Sequence, residues 1–232
     1  MRFKNRSDQK ELLDAEDIPT KDLYRNLSEL NTINHYLGGY KVSINGLSEI
    51  LNQNENVNTI LDLGFGGGDS IKQLLNHFYH KKPSLFFYGV DLKMDCFSYA
   101  TENLTTFPNK KLICDDYRNI SSELLKETDV IHCCLFLHHL SDNEIVELFT
   151  FSKNNKCILL VNDLHRNWMA YYSIKYLTAL FSKSYLVKND APISVLRGFK
   201  KKELVRLLKQ AGFKNYSVNW KWAFRYTVIA YA

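Results

Sequence analysis

"ILDLGFGGGDS", residues 60–70, sets four glycines in five positions directly after an apolar run, with an acidic residue two places before the first of them. The apolar run reads as a buried strand. The segment that follows, "DSIKQLLNHFYH" (69–80), has helical spacing. A strand, a glycine turn and a helix together make a site for a polar or anionic ligand, because unpaired backbone N–H groups gather at the helix N-terminus. Glycine serves there by taking positive φ and by leaving no Cβ in the way of the ligand. The dinucleotide fingerprint GxGxxG fails in both frames: counting from Gly64 it needs glycine where Asp69 stands, and from Gly66 where Ile71 stands.

Outward from this stretch, short apolar runs alternate with amphipathic segments. The runs are "VNTILDLG" (57–64), "SLFFYGVD" (84–91), "KLICDD" (111–116), "DVIHCCLFLHHL" (129–140) and "KCILLVND" (156–163). Continuous rather than alternating hydrophobicity predicts parallel strands buried on both faces. Helical spacing between them, as in "SDNEIVELFTFS" (141–152), predicts a doubly wound α/β sheet. Near the end, "KNYSVNWKW" (214–222) and "RYTVIAYA" (225–232) are too closely joined to be anything but an antiparallel pair. The expected fold is therefore a Rossmann-like α/β sheet of five parallel strands closed by an antiparallel hairpin, with helices on both faces. The first fifty residues read as helical: Thr20 is expected to cap a helix carrying Leu23, Leu27, Leu30, Ile33 and Leu37 on one face, stopped at Gly38-Gly39.

What fits the glycine stretch is acidic-x-Gly-x-Gly-x-Gly: Asp62, Gly64, Gly66 and Gly68. This resembles the first motif of the class I S-adenosylmethionine (SAM)-dependent methyltransferases. The physics agrees, because SAM has a cationic sulfonium and an ammonium in place of a diphosphate, and Asp62 and Asp69 would repel a diphosphate. Asp91 ends the second strand at about the 20-residue interval at which a carboxylate meets ribose hydroxyls. The resemblance implies further cofactor contacts at Phe65, Leu92, Leu135, and at Asp115 or Asp116 for the adenine amino group, with S-adenosylhomocysteine as product. It covers roughly residues 30–232. "FKKKELVRLLKQAGFKNYSVN" (199–219) is similar to the last helix and hairpin of small-molecule members. "LNTINHYLGG" (30–39), "LFLHHLSD" (135–142), "DLHR" (163–166) and "KNDAPISVLRGF" (188–199) look like a bacterial subgroup related to ubiquinone/menaquinone methyltransferases and associated with polyketide-type phenolic or lipid-like products.

On that resemblance, residues 1–56 are a helical extension closing the active site and 57–232 the methyltransferase domain, with a helical lid at about 166–190. The fourth and fifth strand ends should face the transferable methyl. His165 is then the first candidate base, followed by His139 and His138; each is also able to do no more than tie down a loop. Trp168, Tyr171, Tyr172, Tyr176 and Phe181, at helical spacing, read either as a helix packed on the core or as a lid lining an apolar acceptor pocket, with Tyr36 on the other side and Asp190 and Arg197 at its rim. No metal is expected, because the histidine-rich set lacks the carboxylate ligands of metal-assisted methyltransferases. Methyl transfer to a hydroxyl oxygen of a small apolar or aromatic acceptor is the leading expectation. Transfer to a phenolic or quinol ring carbon, an RNA or protein methyltransferase, and a non-catalytic SAM-binding protein are the alternatives.

Composition sets outer limits. In 232 residues, 45% are hydrophobic and 24% charged, enough for one α/β domain with a proper core. The net charge of +5 is mild and its lysines scattered, which argues against a nucleic-acid groove. Cys96, Cys114, Cys133, Cys134 and Cys157 form no CxxC pair and read as reduced core thiols. No stretch has the profile of a signal peptide or a membrane span, so the expected location is cytoplasmic.

Overall fold

A computed structural model describes residues 3–15 and 17–232. The apolar runs are strands β1 (Thr59–Leu63), β2 (Phe86–Asp91), β3 (Lys110–Cys114), β4 (Val130–Cys134) and β5 (Ile158–Leu164), followed by β6 (Asn215–Lys221) and β7 (Arg225–Tyr231). They form one sheet in the order β3-β2-β1-β4-β5-β7-β6. The first five are parallel, and β7 lies antiparallel to both β5 and β6. This is the expected Rossmann-like class. Its central strands are largely apolar because helices cover both faces.

On one face pack α2 (Gly39–Gln53), α3 (Asp69–Phe78) and α4 (Met94–Asn103). In α3 the buried residues Ile71, Leu74, Leu75 and Phe78 repeat at helical spacing and form the inner stripe. On the other face lie α5 (Ser122–Lys126), α6 (Asp142–Asn154) and α9 (Lys201–Gln210). The fully buried Leu204, Leu207 and Leu208 of α9 each contribute roughly 1.5–3 kcal/mol by leaving water.

The remaining helices, α1 (Thr20–Tyr36), α7 (Trp168–Phe181) and α8 (Tyr185–Arg197), stand over the carboxyl ends of the strands. Two details differ from expectation. Thr20 is the first residue of α1 rather than its cap: Pro19 precedes it without a side-chain cap bond, and the Thr20 hydroxyl donates to Asp95 instead (3.2 Å). The glycine pair turns the chain rather than ending helical structure. Gly38 takes φ +68°, and α2 starts at Gly39, where a Cβ would meet the Arg225 guanidinium at 2.8 Å.

Candidate functional site

Strand order reverses between β1 and β4, so the loops leaving their carboxyl ends diverge. A cavity of about 630 Å³ occupies that crevice, within the usual span of small-molecule sites, about 300–1,000 Å³. One wall is the glycine loop. Gly64 and Gly66 have φ of +69° and +53°, and the nearest atom to a Cβ added at Gly66 is Leu27 Cδ2 at 3.9 Å, so the bare backbone opens into the cavity. Asp91 braces the loop: its carboxylate accepts from Gly66 N at 2.8 Å and from Lys93 N at 3.0 Å. Burial pushes its pKa up, while those two hydrogen bonds pull it down. Asp69 also lines the cavity, and burial raises its carboxyl to about 6 against the opposing pull of Asn103 and Lys72.

The opposite wall comes from residues 3–15. Arg6 donates to Asp142 and to Leu140 O, each at 2.8 Å, and the N–H groups of Leu12 and Leu13 donate to the Asp190 carboxylate at 2.8 and 2.9 Å. These ties hold Glu11 and Asp14 against the 3-10 turn Leu137–His139. There His138 is buried, with Nδ1 2.8 Å from Asp163 Oδ1 and Nε2 3.8 Å from Glu11 Oε1. Asp163 is held below the ordinary carboxylate range: burial works against ionisation, and the His138 charge and hydrogen bond outweigh it. The Asp163 carboxylate makes Nδ1 the hydrogen-bonding nitrogen of the ring, so Nε2 is the one turned toward Glu11. Burial raises the Glu11 carboxyl to about 7, and its Oε1 has no hydrogen-bond partner. Asp14 moves the other way, because the His139 hydrogen bond (3.1 Å) and Arg197 (3.0 Å) overcome its partial burial.

Glu11, His138 and His139 bring one ligand-type atom each within 4.8 Å of one another. The Arg197 Nε stands 4.0 Å from Glu11 Oε1, so a guanidinium already supplies positive charge at that point.

Three comparisons bear on what this cavity serves. A family model described as a methyltransferase domain matches residues 60–153. The matched stretch runs from β1 into α6 and takes in the glycine loop, Asp91, His138 and His139. Among solved structures, the plantazolicin methyltransferase BpumL in complex with SAH aligns with a TM-score of 0.66 and 15% identity over 91% of this chain and 93% of that one. A Nostoc punctiforme protein provisionally described as an O-methyltransferase gives 0.62 and 14% over 89% of this chain, which spans 60% of the longer neighbour. The citrinin polyketide synthase CMeT domain gives 0.55 and 13%, covering 76% of this chain and 46% of that one. At these identities the likeness shows the fold. A search of curated protein sequences finds no match.

The BpumL neighbour is described with SAH, the product left when SAM gives up its methyl group. The residues present fit that cofactor: a backbone cradle open at Gly66, with carboxylates at Asp69 and Asp91, suits a cation bearing hydroxyls better than a diphosphate. Of the expected cofactor residues, Gly64, Phe65, Gly66, Asp91, Leu92, Asp115, Asp116 and Leu135 line the cavity. Asp62 does not. It pairs in register with His132 on the neighbouring strand, so both side chains leave the sheet on the same face, and its carboxylate meets His132 Nδ1 at 2.7 Å. Gly68 is also outside the lining: its φ is +74°, and a Cβ there would touch Ala100 and Leu104 at 3.0 Å, so its bareness serves helix packing. Asp116 is occupied at both oxygens by Arg118, whereas Asp115 accepts through Oδ1 only, from Asp116 N and Asn119.

Other expected residues of the methyltransferase domain stand apart from the cavity. His165 is outside its lining, with its ring against Tyr226 at 5.0 Å, and burial lowers its pKa to about 4, with Lys200 and Arg166 adding to the shift. His138 and His139 do line the cavity. The lid aromatics are turned the wrong way for the role expected of them. Helix α7 presents Ala170, Ser173, Ile174 and Leu177 to the cavity; Trp168, Tyr172 and Tyr176 are exposed, and Tyr171 is buried beside Val195 and Leu196 of α8. Phe181 and Tyr36 are also exposed and outside the lining. Arg197 is a brace rather than a rim residue, donating to His138 O at 2.9 Å and His139 O at 2.8 Å. Sequence reading passed over Glu11 and Asp14, which sit in an ordinary polar stretch, and over Asn31, Asn34 and Tyr117 of the lining.

Proposed function

We propose that the protein transfers a methyl group from SAM to a hydroxyl oxygen of a small, largely apolar or aromatic acceptor. One observation carries this reading: a single cavity joins the glycine loop and Asp91 to the buried His138–Asp163 pair, between apolar walls that include Leu30, Ile33, Leu37, Ile174 and Leu177. When bound, SAM supplies an electrophilic methyl group and departs as S-adenosylhomocysteine. Asp91 holds the ribose hydroxyls while keeping the loop in place through Gly66 N. Asp115, with an oxygen to spare, takes the adenine amino group. His138 Nε2 accepts the proton of the acceptor hydroxyl, and Asp163 fixes the ring and stabilises the imidazolium, a contribution of roughly 10²–10⁴-fold. Arg197 keeps the turn carrying both histidines in position. The described part of residues 1–56, which excludes 1, 2 and 16, closes one side of the site; the segment from about 166 to 190 roofs the other with the small and aliphatic face of α7.

The enclosed apolar walls favour a small acceptor over RNA or protein. The likeness to a polyketide synthase CMeT domain supports a second reading, transfer to a phenol ring carbon, because the phenolate formed by the same proton removal also reacts at carbon. The deciding experiment combines purified protein with SAM and a panel of phenols and quinols, following S-adenosylhomocysteine and locating the new methyl by NMR. Turnover with an O–CH₃ product bears the proposal out, and a ring C–CH₃ product moves it to the second reading. SAM binding with no S-adenosylhomocysteine from any acceptor would favour a binding protein.

A further inference from the structure

The aromatics of α7 face outward, and their surroundings indicate what meets them. At 3.6 residues per turn, Trp168, Met169, Tyr172, Tyr176 and Leu180 share one arc of the helix, with Phe181 beside its end. Tyr176 is 68% exposed, Leu180 75% and Phe181 72%. Residues 164–189 contain no aspartate or glutamate, while Lys175, Lys183 and Lys188 are exposed along the same segment. Soluble surfaces rarely leave so many large apolar side chains together in water. The neighbouring arc of α7 lines the cavity, and Leu177 belongs to both, being exposed and in the lining. Trp222, two-thirds exposed, adds a further aromatic to the cavity rim from the turn between β6 and β7.

We propose that this face of α7 docks on the surface of an anionic lipid bilayer, with the cavity mouth at the membrane. Tryptophan and tyrosine rings suit the headgroup layer, and lysines at the margin of an apolar stripe reach back to lipid phosphates. At 14 residues α7 lies along the surface and does not cross the bilayer. A second copy is the weaker partner, because pairing the stripe with itself sets lysines against lysines with no carboxylate in the segment to answer them. The corollary, that the acceptor enters from the lipid, rests on the methyl-transfer reading; the docking itself does not.

The test is flotation of the full chain with vesicles of phosphatidylcholine alone or mixed with phosphatidylglycerol, at low and high salt, beside the double variant Tyr176→Glu/Leu180→Glu. SAM binding is measured on both proteins by calorimetry. Wild type should float with the anionic vesicles, about tenfold or more better than with neutral ones and less well in high salt. The variant should lose flotation and keep SAM binding. Absence of flotation, or flotation unchanged in the variant, overturns the proposal. A dimer in sedimentation equilibrium that the variant dissolves, without vesicle binding, assigns the face to a second copy instead. Loss of SAM binding by wild type would sink the methyl-transfer reading and leave the docking result standing.

Discussion

The cavity has two walls built on different plans. The cofactor wall is local: residues 64–67 and 91–92 follow consecutive strands, and its shape comes from backbone with one bracing carboxylate. The acceptor wall is assembled from three distant places, with Glu11 and Asp14 from the start of the chain, His138 and His139 from its middle, and Asp190 and Arg197 from its last quarter. Backbone cradles tolerate drift in nearby side chains, whereas a buried cluster of charges depends on every member being satisfied. On the proposed function the first wall governs binding and the second turnover, and the two should come apart under mutation.

The largest separation is expected at His138. His138→Gln, which keeps a polar group for Asp163, should reduce turnover by roughly 10²–10⁴-fold while the SAM dissociation constant stays near its wild-type value. Loss of both would make the two walls one unit. The converse variant, Asp91→Ala, removes a charged hydrogen-bond acceptor worth about 1.5–3 kcal/mol, or roughly 10- to 100-fold in SAM affinity by calorimetry. Near-normal binding would take the ribose away from Asp91. Next comes a contrast within one helix. Ile174→Trp should raise the acceptor KM by about tenfold or more by filling the cavity side of α7, and Tyr172→Ala, on the outer side, should leave KM in solution unchanged. Equal effects would restore the aromatic lid.

A smaller effect concerns pH. The Glu11 carboxyl titrates at about 7 in the folded chain against an ordinary 4.5. Between those values the unfolded chain has released the proton and the folded chain still holds it, so stability falls as pH rises across that window. Glu11→Gln cannot ionise, and its melting temperature should therefore drop less than that of wild type between pH 5 and pH 8, by a few degrees, since each kcal/mol is worth about 2–4 °C at this size. Parallel melting curves would place the raised carboxyl elsewhere. The smallest change belongs to His165→Ala, whose turnover should remain within about twofold of wild type because the ring faces Tyr226.

The glycine turn between β1 and α3 was legible because strand, turn and helix are consecutive and each leaves its own mark: apolar run, glycines, helical spacing. The sheet was legible for the same reason, down to the antiparallel β6–β7 pair. Asp62 misled because a strand's period tells which side chains share a face but not which face meets the ligand. The α7 aromatics misled for a related reason. The helix carries apolar residues all the way round, Trp168, Ala170, Tyr171, Ile174 and Leu177 among them, so no stripe reveals which arc turns inward. Glu11 left little mark, since its contacts with His138 and Arg197 lie more than 120 residues away and its neighbours "QKELLDAED" look like any exposed turn.

The clamp around Arg166 bears on how the segment carrying Glu11 is held. This arginine is fully buried and holds Phe3 O at 3.3 Å and Lys4 O at 3.1 Å, together with Gly198 O and the Glu203 carboxylate. The backbone at Phe3 and Lys4 thus meets its partner 163 and 162 residues along the chain. Farther along the same segment Arg6 is tied to Asp142 and to Leu140 O, and the Leu12 and Leu13 N–H groups to the Asp190 carboxylate. Glu11 is therefore carried on a strap buckled at several points, and its place beside His138 is set by the folded protein before any ligand arrives.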